Sequence, residues 1–512
     1  MNPQTLRNTL PVTASDTDES LFRDIFYEGT LEEYLTALGA AGERVAGFLR
    51  NNVHPFSGIR PATLLASFKE VDFDTPLPDY DALLDEVQQL YIQHATAFHL
   101  PQYIAHLNCP VLIPALAAEV IISAINSSQD TYDQSAGGTF MERRLIDWTG
   151  EQIGYSQQCD GVFTAGGSQS NLMGLLLARD YYAVHHLHHN IKLYGCPPEA
   201  GRFRIFVSEK AHFSNHKNAG ILGLGEKSIV SIPTDTRFRM DAVQLETAIR
   251  QELAQGNIPI AIVATAGTTD FGNIDPLQEI ARIAREYSIW YHIDAAYGCG
   301  LLLTDKYRHL LHGAEQADSI TIDYHKSFFQ PISSSAFIVK DKLHLNLIKH
   351  HADYLNPPEQ DYDALPAQIN KSIIQSTRRF DALKLWCTLR LMGREKLGKY
   401  TEIIIETTQQ AAVLIAADPE FDLLSDSDLG ILVFRYHPAQ TAIDLCALNQ
   451  YIKQSLFFNG EIIVASTKVK GAFYLKFTIL NPLTTLTHIR EILAAIKVQG
   501  DNWLQQPGNI AV

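Results

Sequence analysis

Several features that would indicate other classes of protein are scarce or absent in these 512 residues. Only six cysteines occur, none in a CxxC pair, so neither a disulfide framework nor a zinc site is predicted. No apolar run is long enough to span a bilayer, and the polar N-terminus lacks the apolar core of a signal peptide. Basic residues are outnumbered, 41 Lys and Arg against 57 Asp and Glu, which gives a net charge of -16. We therefore expect a cytoplasmic protein without nucleic-acid or membrane partners, whose acidic field favours a small cationic molecule.

The composition that remains, 46% hydrophobic and 19% charged residues, is that of a globular enzyme, in a chain too long for one ordinary domain. Apolar spacing predicts a helical N-terminal domain over residues 1–100, interrupted by Pro-rich breaks. From 101 to 385, apolar strands alternate with helical stretches, which predicts an α/β domain with a mostly parallel sheet covered on both faces. Residues 386–512 predict a smaller α+β domain. Ligands of such α/β sheets lie beyond the carboxyl ends of the strands.

Three segments at predicted strand ends carry chemistry. In GVFTAGGSQSNL, a strand runs into a Gly-Gly pair and a helix opens at Ser168 or Ser170, which predicts a phosphate cradle or an ordinary capped turn. In WYHIDAAYGCG, Asp294 ends a hydrophobic strand, where a carboxylate needs a cationic partner or a capping role. In DSITIDYHKSFFQP, Lys326 follows another apolar strand, and we expect burial to lower its pKa and make it a nucleophile.

Together these segments supply a phosphate cradle, a carboxylate for a ring nitrogen and an amine for an aldehyde. Those are the three groups by which proteins hold pyridoxal 5'-phosphate. The interval from Asp294 to Lys326 suits one strand–helix–strand excursion between neighbouring strands. The sequence therefore predicts a pyridoxal-phosphate enzyme.

At these residues the chain resembles the group II pyridoxal-phosphate-dependent amino-acid decarboxylases, whose fold is of the aspartate-aminotransferase type (fold type I). The resemblance runs from about Tyr91 to Pro482, through consecutive motifs in the family's order. Within the family the chain resembles most the lysine decarboxylases of desferrioxamine-type siderophore pathways. The diaminobutyrate decarboxylases share much of the DYHKSFFQP pattern and are the near competitor. The matching motifs are HLPQYIAHLNCP, NSSQDTYDQSAGGTFMERRLIDW, FTAGGSQSNL, SEKAHFSNHKNAGILGLG, VATAGTTDFGNIDPL, HIDAAYGCG, DYHKSFFQPISSSAF and TRRFDALKLW.

The resemblance implies roles for individual residues. Lys326 would bind the cofactor aldehyde covalently, Asp294 would pair with the pyridine nitrogen, and Tyr354 on a mobile loop would protonate the product. Because that loop reaches the neighbouring subunit's site in the family, the resemblance implies a homodimer with shared active sites. The remaining expected cofactor contacts are the catalytic His212 and Ala296 on the two ring faces, Ser168, Gln169, Ser170, Ser319 and His325 at the phosphate, and Thr269.

The activity that we expect from this resemblance is decarboxylation of L-lysine to cadaverine (1,5-diaminopentane) for a hydroxamate siderophore. L-2,4-diaminobutyrate and ornithine remain alternative substrates, because a pocket distinguishes one methylene by only about 1–3 kcal/mol. A non-catalytic regulatory protein and an aminotransferase on the same fold are further alternatives. Asp323-Tyr324 stands where aromatic amino-acid decarboxylases have Asn-Pro, which argues against an aromatic substrate. The candidates for binding a distal ammonium are Asp130, Asp133 and Glu142, although a structural role is the commoner one.

Three other patterns have plainer interpretations. The stretch Gly220–Ser228 nearly spells a P-loop, but Glu226 would place an anion where phosphate belongs. The histidines in HHLHH, residues 185–189, could bind a transition metal, although a polar helix end explains them as well. The pair Arg378-Arg379 precedes an apolar helix and could contact the site or a neighbouring subunit. We predict neither nucleotide hydrolysis nor a metal site.

Overall fold

The computed structural model describes residues 22–359, 366–439 and 443–506. The chain divides into two compact units, Met1–Val53 with Ile59–Ala95, and His54–Gly58 with Thr96–Val512. Within the described ranges, no helix combines the length and the apolar character that crossing a membrane requires. The six cysteines are all free thiols.

The helices are α1 Leu31–Asn51, α2 Pro61–Ser67, α3 Tyr80–Leu90, α4 Ile113–Ile125, α5 Ala136–Ile153, α6 Gly167–Leu187, α7 Ile191–Tyr194, α8 Ser214–Ile221, α9 Ala242–Ala254, α10 Leu277–Glu286, α11 Tyr324–Ser327, α12 Ala382–Ala417, α13 Leu445–Asn459 and α14 Leu486–Leu504. The strands are β1 Tyr103–Ile104, β2 Asp160–Thr164, β3 Phe203–Ser208, β4 Ile229–Ile232, β5 Ile258–Thr265, β6 Trp290–Asp294, β7 Ser319–Ile322, β8 Ser335–Val339, β9 Phe421–Ser425, β10 Ile431–Tyr436, β11 Ile463–Val469 and β12 Ala472–Thr478.

The first unit is helical, which confirms the predicted helical N-terminal segment. Helix α2 begins at Pro61, a position where the missing N–H has no helical partner to lose. Helix α3 is capped by Asp79, whose Oδ1 accepts from the Ala82 N–H at 2.8 Å. An ion pair of 2.6 Å between Arg44 and Asp85 joins α1 to α3. Helix α1 leaves an apolar row exposed: Leu31, Leu35, Leu38, Val45 and Leu49.

Seven strands of the second unit form a mostly parallel sheet in the order β2-β8-β7-β6-β5-β3-β4. Strand β8 is antiparallel to both β2 and β7, so the other strands all point the same way. Strands β6, β7 and β8 are buried along their whole length, as expected of a sheet covered on both faces. The predicted α/β sheet is thus confirmed. Edge strand β4 was not among the predicted strands, and most of its residues are only partly buried or exposed.

A second sheet of five strands has the order β1-β11-β12-β10-β9. Its strands β9 to β12 are antiparallel, whereas β1 joins the edge in parallel, with Tyr103 opposite Ile463. This sheet therefore combines residues from either side of the predicted boundary at 385. The division into domains 101–385 and 386–512 stays a prediction.

A buried ion pair ties α5 to the segment that precedes α12. The side chains of Arg378 and Glu142 are 4% and 0% exposed, and Arg378 Nη2 lies 2.9 Å from Glu142 Oε1. Arg378 also donates to the backbone carbonyls of Gln129 and Phe163, so it fastens α5 to the edge strand β2. These contacts give Arg378 a structural role. Arg379 pairs instead with Glu119 on α4 and with Asp381, the residue before α12.

We predict that Glu142→Gln lowers the free energy of unfolding by about 3 kcal/mol, because it leaves a buried guanidinium without its counter-charge. Urea denaturation measures the change. The matched control is Glu151→Gln on the same helix, whose 2.9 Å pair with Arg144 is exposed and is expected to contribute less than about 1 kcal/mol. Equal losses in the two variants would contradict a stabilising role for the buried pair.

Candidate active site

A cavity of about 440 Å³ lies at the edge of the seven-stranded sheet where the parallel strands have their carboxyl ends. Segments that directly follow β2, β3, β5, β6 and β7 form its wall, which is where an α/β sheet binds ligands. The structure thereby brings together most of the residues singled out from the sequence. Those lining the cavity are Ser168, Gln169, His212, Thr269, Asp294, Ala296, His325 and Lys326.

Lys326 lies on the short helix α11, four residues after the end of β7. Its side chain is 21% exposed, and its Nζ lies 3.0 Å from Asp323 Oδ2. The hydroxyl of Ser335 donates to the other oxygen of Asp323, so this carboxylate is held in place. Burial by itself lowers the pKa of Lys326, but the carboxylates of Asp323 and Asp294 raise it, and the net pKa lies above the usual value. The expected lowering of this pKa is therefore wrong for the protein alone.

Asp294 ends β6 with its carboxylate buried at the cavity wall. Asn171 Nδ2 donates to Asp294 Oδ2 at 2.8 Å, and the Ala296 N–H donates to Oδ1 at 3.1 Å. The helical turn after β6 begins at Gly298 with Tyr297 as its N-cap, so Asp294 does not have the capping role, but it faces a cavity where a cationic partner fits. The carboxylate is thus fixed in orientation before any ligand binds.

Two histidines of the cavity have defined proton positions. The Ser214 N–H donates to His212 Nδ1 at 3.3 Å, so the ring proton of neutral His212 is on Nε2. His325 Nδ1 lies 2.9 Å from the Ser334 carbonyl oxygen, closer than its 3.4 Å to the Ser334 backbone nitrogen, so Nδ1 carries the proton and donates to the carbonyl. Burial lowers the pKa of each imidazole. Both rings are therefore neutral at physiological pH.

The Gly-Gly turn after β2 opens a helix of 21 residues, and this helix α6 begins at Gly167, one residue before the predicted start. A Cβ at Gly167 would lie 2.9 Å from Asp323 Oδ2 and 3.3 Å from the Ala296 Cβ, so the close approach here requires glycine. Gln169 Oε1 accepts from the Ala165 N–H at 3.0 Å and steadies the turn. The first N–H groups of α6 thus stand at the cavity wall, where a phosphate would find donors and a favourable dipole.

Three predicted site residues lie away from the cavity wall. The Ser170 hydroxyl is buried 2.7 Å from Thr164 Oγ1. Ser319 is also buried, and its hydroxyl contacts Trp290 and His292 rather than the cavity. The side chain of Tyr354 is 86% exposed. For Ser170 and Ser319 a hydroxyl contact to a ligand phosphate is therefore not supported by these positions.

The acidic candidates for a distal ammonium also lie outside the cavity wall. Glu142 is neutralised by Arg378. Asp133 is exposed and accepts from the Thr131 hydroxyl at 2.6 Å. Asp130 is buried, and among the described residues its Oδ1 has no hydrogen-bond partner. Because Glu142 is already paired with Arg378, its carboxylate is not available to a distal ammonium.

The patterns set aside in the sequence have ordinary structural roles. The stretch Gly220–Ser228 runs from the end of α8 into β4, the reverse of the strand–loop–helix order of a P-loop. His185 and His186 lie in the last turn of α6, where they contact the rings of Tyr181 and Tyr182. No group of His, Cys, Asp and Glu side chains in the described ranges could hold a metal ion.

The cavity has the chemical groups that pyridoxal 5'-phosphate requires: an amine, a buried carboxylate across from it, an imidazole and helix N–H groups. A family model described as "Pyridoxal-dependent decarboxylase conserved domain" matches residues 64–437. The chain belongs to this family. Its cofactor is therefore pyridoxal 5'-phosphate, and its activity is amino-acid decarboxylation.

Relatives across nearly the whole chain support the same assignment. An L-2,4-diaminobutyrate decarboxylase of Acinetobacter baumannii is 36% identical over 486 residues, covering 92% of this chain and 94% of that protein. Another, from Rhizobium meliloti (strain 1021), is 38% identical over 431 residues, covering 83% and 84%. A crystal structure from Vibrio parahaemolyticus superimposes with a TM-score of 0.87 at 33% identity, covering 95% of this chain and all of that one. It is described as the glutamate decarboxylase domain of a diaminobutyrate-pyruvate transaminase and L-2,4-diaminobutyrate decarboxylase.

These comparisons confirm the decarboxylase family and the fold of type I. They favour diaminobutyrate over lysine, because these relatives carry the name of the substrate that was the alternative. The expected similarity to siderophore-pathway lysine decarboxylases, and with it the cadaverine product, is not supported by them.

Sequence reasoning missed several residues of the cavity wall, among them Asn171 and Asp323. Asn171 lies inside the quoted motif FTAGGSQSNL, and Asp323 was noted only as a departure from the aromatic decarboxylases. A signal was available for Asp323, because the alternation Ser319-x-Thr321-x-Asp323 places polar side chains on one face of a buried strand. The contact of Asn171 with Asp294 depends on how α6 packs on the sheet, which the sequence does not show.

We predict that Asp323→Asn lowers the pKa of Lys326 in the cofactor-free protein, because it removes the carboxylate that counteracts the effect of burial on the ammonium. The Lys326–Asp323 pair stabilises the folded chain fully at neutral pH, and this stabilisation is lost only as pH rises through the raised folded-state pKa. The pH dependence of Lys326 acylation, followed by peptide mass spectrometry, measures the shift.

Asp305→Asn is the control, because its carboxylate pairs with Arg394 away from the cavity. An acylation profile of Asp323→Asn that overlays that of the control would show that Asp323 does not set the charge of the amine.

Proposed function

We propose that the chain catalyses the decarboxylation of L-2,4-diaminobutyrate to 1,3-diaminopropane. The observation that carries the proposal is the similarity to L-2,4-diaminobutyrate decarboxylases over more than four fifths of the chain, together with a cavity that contains Lys326 and Asp294. The net charge of -16 adds a field that attracts a substrate with two ammonium groups.

In this proposal, each task of cofactor binding and decarboxylation is assigned to a residue of the cavity. The cofactor, when bound, supplies a conjugated ring that takes up the electron pair left by departing CO₂. Lys326 provides the amine that anchors the cofactor aldehyde, and Asp294 holds a proton on the pyridine nitrogen. His212, a neutral imidazole, would pack on one face of the ring, and Ala296 would lie against the other. Ser168, Gln169 and His325 would contact the phosphate, and Thr269 would contact the cofactor from the β5 side.

We further propose a homodimer whose active sites are shared. Tyr354 is too exposed to act in the cavity of its own chain as described, but it fits the expected proton donor if it reaches the cavity of a second copy. Helix α4 supports a partner, because an isolated chain would leave its apolar side chains in water. The exposed apolar residues on and before α4 are Val111, Ile113, Leu116, Val120, Ile121 and Ile125.

The substrate is tested by kcat/KM for L-2,4-diaminobutyrate, L-ornithine and L-lysine, with amines separated by chromatography. We expect ornithine to be at least about tenfold poorer than diaminobutyrate, and lysine poorer again, because each added methylene must be accommodated without losing the ammonium contact. Faster turnover of lysine would return the assignment to the first expectation from the sequence.

A Lys326→Ala variant is the control for chemistry in this panel. It should release CO₂ from none of the three amino acids at more than a trace rate, because the amine that exchanges with substrate is gone. CO₂ release at the wild-type rate would contradict the role of Lys326, and formation of keto acid by the wild-type protein would indicate an aminotransferase instead.

The shared site is tested by co-expressing Lys326→Ala and Tyr354→Phe chains. If Tyr354 serves the partner's cavity, mixed dimers contain one complete site, and random assembly restores about a quarter of wild-type amine formation. If Tyr354 serves its own cavity, no complete site forms and amine formation is not restored. Tyr354→Phe alone is expected to divert product toward aldehyde, and an unchanged amine yield would rule out its proton-donor role.

A further inference from the structure

Alternating polar residues on β6 and β7 form a buried polar layer beneath the cavity. Trp290, His292 and Asp294 alternate along β6 and share one face of the sheet. Strand β7 pairs with β6 in parallel, with Ser319 beside His292 and Thr321 beside Asp294. Helix α6 packs on the sheet over these strands.

Hydrogen bonds join these side chains into a continuous path. Trp290 Nε1 donates to Ser319 Oγ at 3.0 Å, and Ser319 Oγ lies 2.8 Å from His292 Nδ1. His292 Nε2 lies 3.1 Å from Asn171 Oδ1, which also accepts from the Thr321 hydroxyl at 2.7 Å. Asn171 Nδ2 then donates to Asp294 Oδ2 at 2.8 Å.

The direction of this path is defined by its two ends, because the indole N–H of Trp290 can only donate and the carboxylate of Asp294 can only accept. Since Ser319 Oγ accepts from Trp290, its hydroxyl is free to donate onward to His292 Nδ1. Burial lowers the pKa of His292 to about 4, although Asp294 acts in the opposite direction, so the imidazole is neutral and its single proton is on Nε2. His292 Nε2 therefore donates to Asn171 Oδ1, which leaves the Asn171 amide hydrogens facing outward.

The second amide hydrogen of Asn171 reaches the other cofactor-facing side chain. Asn171 Nδ2 donates to Ser214 Oγ at 3.1 Å, and Ser214 Oγ lies 2.9 Å from His212 Nδ1. Because His212 Nδ1 is an acceptor, the Ser214 hydroxyl donates to it. The Asn171 amide thus contacts Asp294, the proposed partner of the ring nitrogen. Through the Ser214 hydroxyl it also contacts His212, the proposed neighbour of the ring face.

A glycine in the middle of α6 shows how closely the helix approaches this path. A Cβ at Gly174 would lie 2.6 Å from His292 Nδ1 and 2.7 Å from its Cε1. Glycine inside a helix costs about 1 kcal/mol relative to alanine, so the residue is explained by the space that the imidazole occupies. Helix α6, the His292 imidazole and the Asn171 amide are therefore in close contact.

We propose that Asn171 is a positioning residue for the cofactor, oriented by His292 and Ser319, and that it sets the geometry of both Asp294 and His212. Ser319 in this proposal supports the path and does not bind phosphate. The proposal requires the cofactor but does not depend on which amino acid is the substrate. A failed substrate panel would leave it intact.

The test compares His292→Leu with His292→Gln in the cofactor-loaded protein. Leucine removes one of the two donors to Asn171 Oδ1, the Thr321 hydroxyl being the other, and we expect pyridoxal 5'-phosphate to bind about tenfold more weakly, as for loss of one buried hydrogen bond to the positioning amide. The pH profile of the bound cofactor's absorbance should also shift, because Asp294 no longer holds the ring nitrogen in one orientation. The glutamine amide can replace His292 Nε2 as donor and should restore both readouts.

Asn449→Leu is the matched control for Asn171→Leu. Asn449 is equally buried, and its amide exchanges hydrogen bonds with the Tyr436 backbone, away from the cavity. Both substitutions are expected to lower the unfolding temperature, but only Asn171→Leu should change the absorbance profile. If Asn171→Leu does not fold, Ser319→Ala removes a single oxygen from the same path and supplies the same readout.

Two results would overturn the proposal. One is a folded His292→Leu protein with wild-type cofactor affinity and an unchanged absorbance profile. The other is a Ser319→Ala protein in which inorganic phosphate competes less well for the cofactor-free site while the absorbance profile is unchanged, because that would make Ser319 a phosphate contact.

Discussion

The parallel pairing of β6 with β7 is the constraint on which the site depends. The register places Asp294 beside Thr321, so the carboxylate that ends one strand and the Asp323–Lys326 turn that follows the other leave the sheet at the same edge. Residues that are far apart in the chain thereby reach one cavity. Because both strands are buried along their whole length, their polar side chains cannot bond to water and form hydrogen bonds with one another instead.

That arrangement concentrates charge where little solvent reaches it. Lys326 forms an ion pair with Asp323 and also interacts electrostatically with Asp294. These two carboxylates raise the pKa of the amine by more than burial lowers it. In the cofactor-free protein the amine is accordingly an ion-paired ammonium. The neutral histidines around it contribute shape and hydrogen bonds rather than charge.

Much of the fold could be predicted because its physical causes are local. Continuous apolar runs identified the buried strands β2, β3 and β5 to β8, and the strand-to-glycine transition at Gly167 identified the start of helix α6 to within one residue. The predictions that the structure does not support concern residues whose hydrogen-bond or ion-pair partners lie on other helices, strands or loops. Ser319 resembles a phosphate contact in sequence, but its hydroxyl meets Trp290 and His292 on neighbouring strands. Glu142 resembles a substrate-binding acid, but Arg378 neutralises it from a segment more than two hundred residues away.

By itself, the sequence determined the α/β class and the cofactor and predicted roles for Asp294 and Lys326, because strand-end polar groups after apolar runs are evident from residue order. Only the tertiary structure decided the charge state of Lys326 and which polar side chains face the cavity. The reason is that a pKa and a hydrogen-bond partner depend on distances between elements that residue order does not contain. Asn171 illustrates the point, since nothing in its own segment reveals that it contacts Asp294 until α6 is packed on β6 and β7.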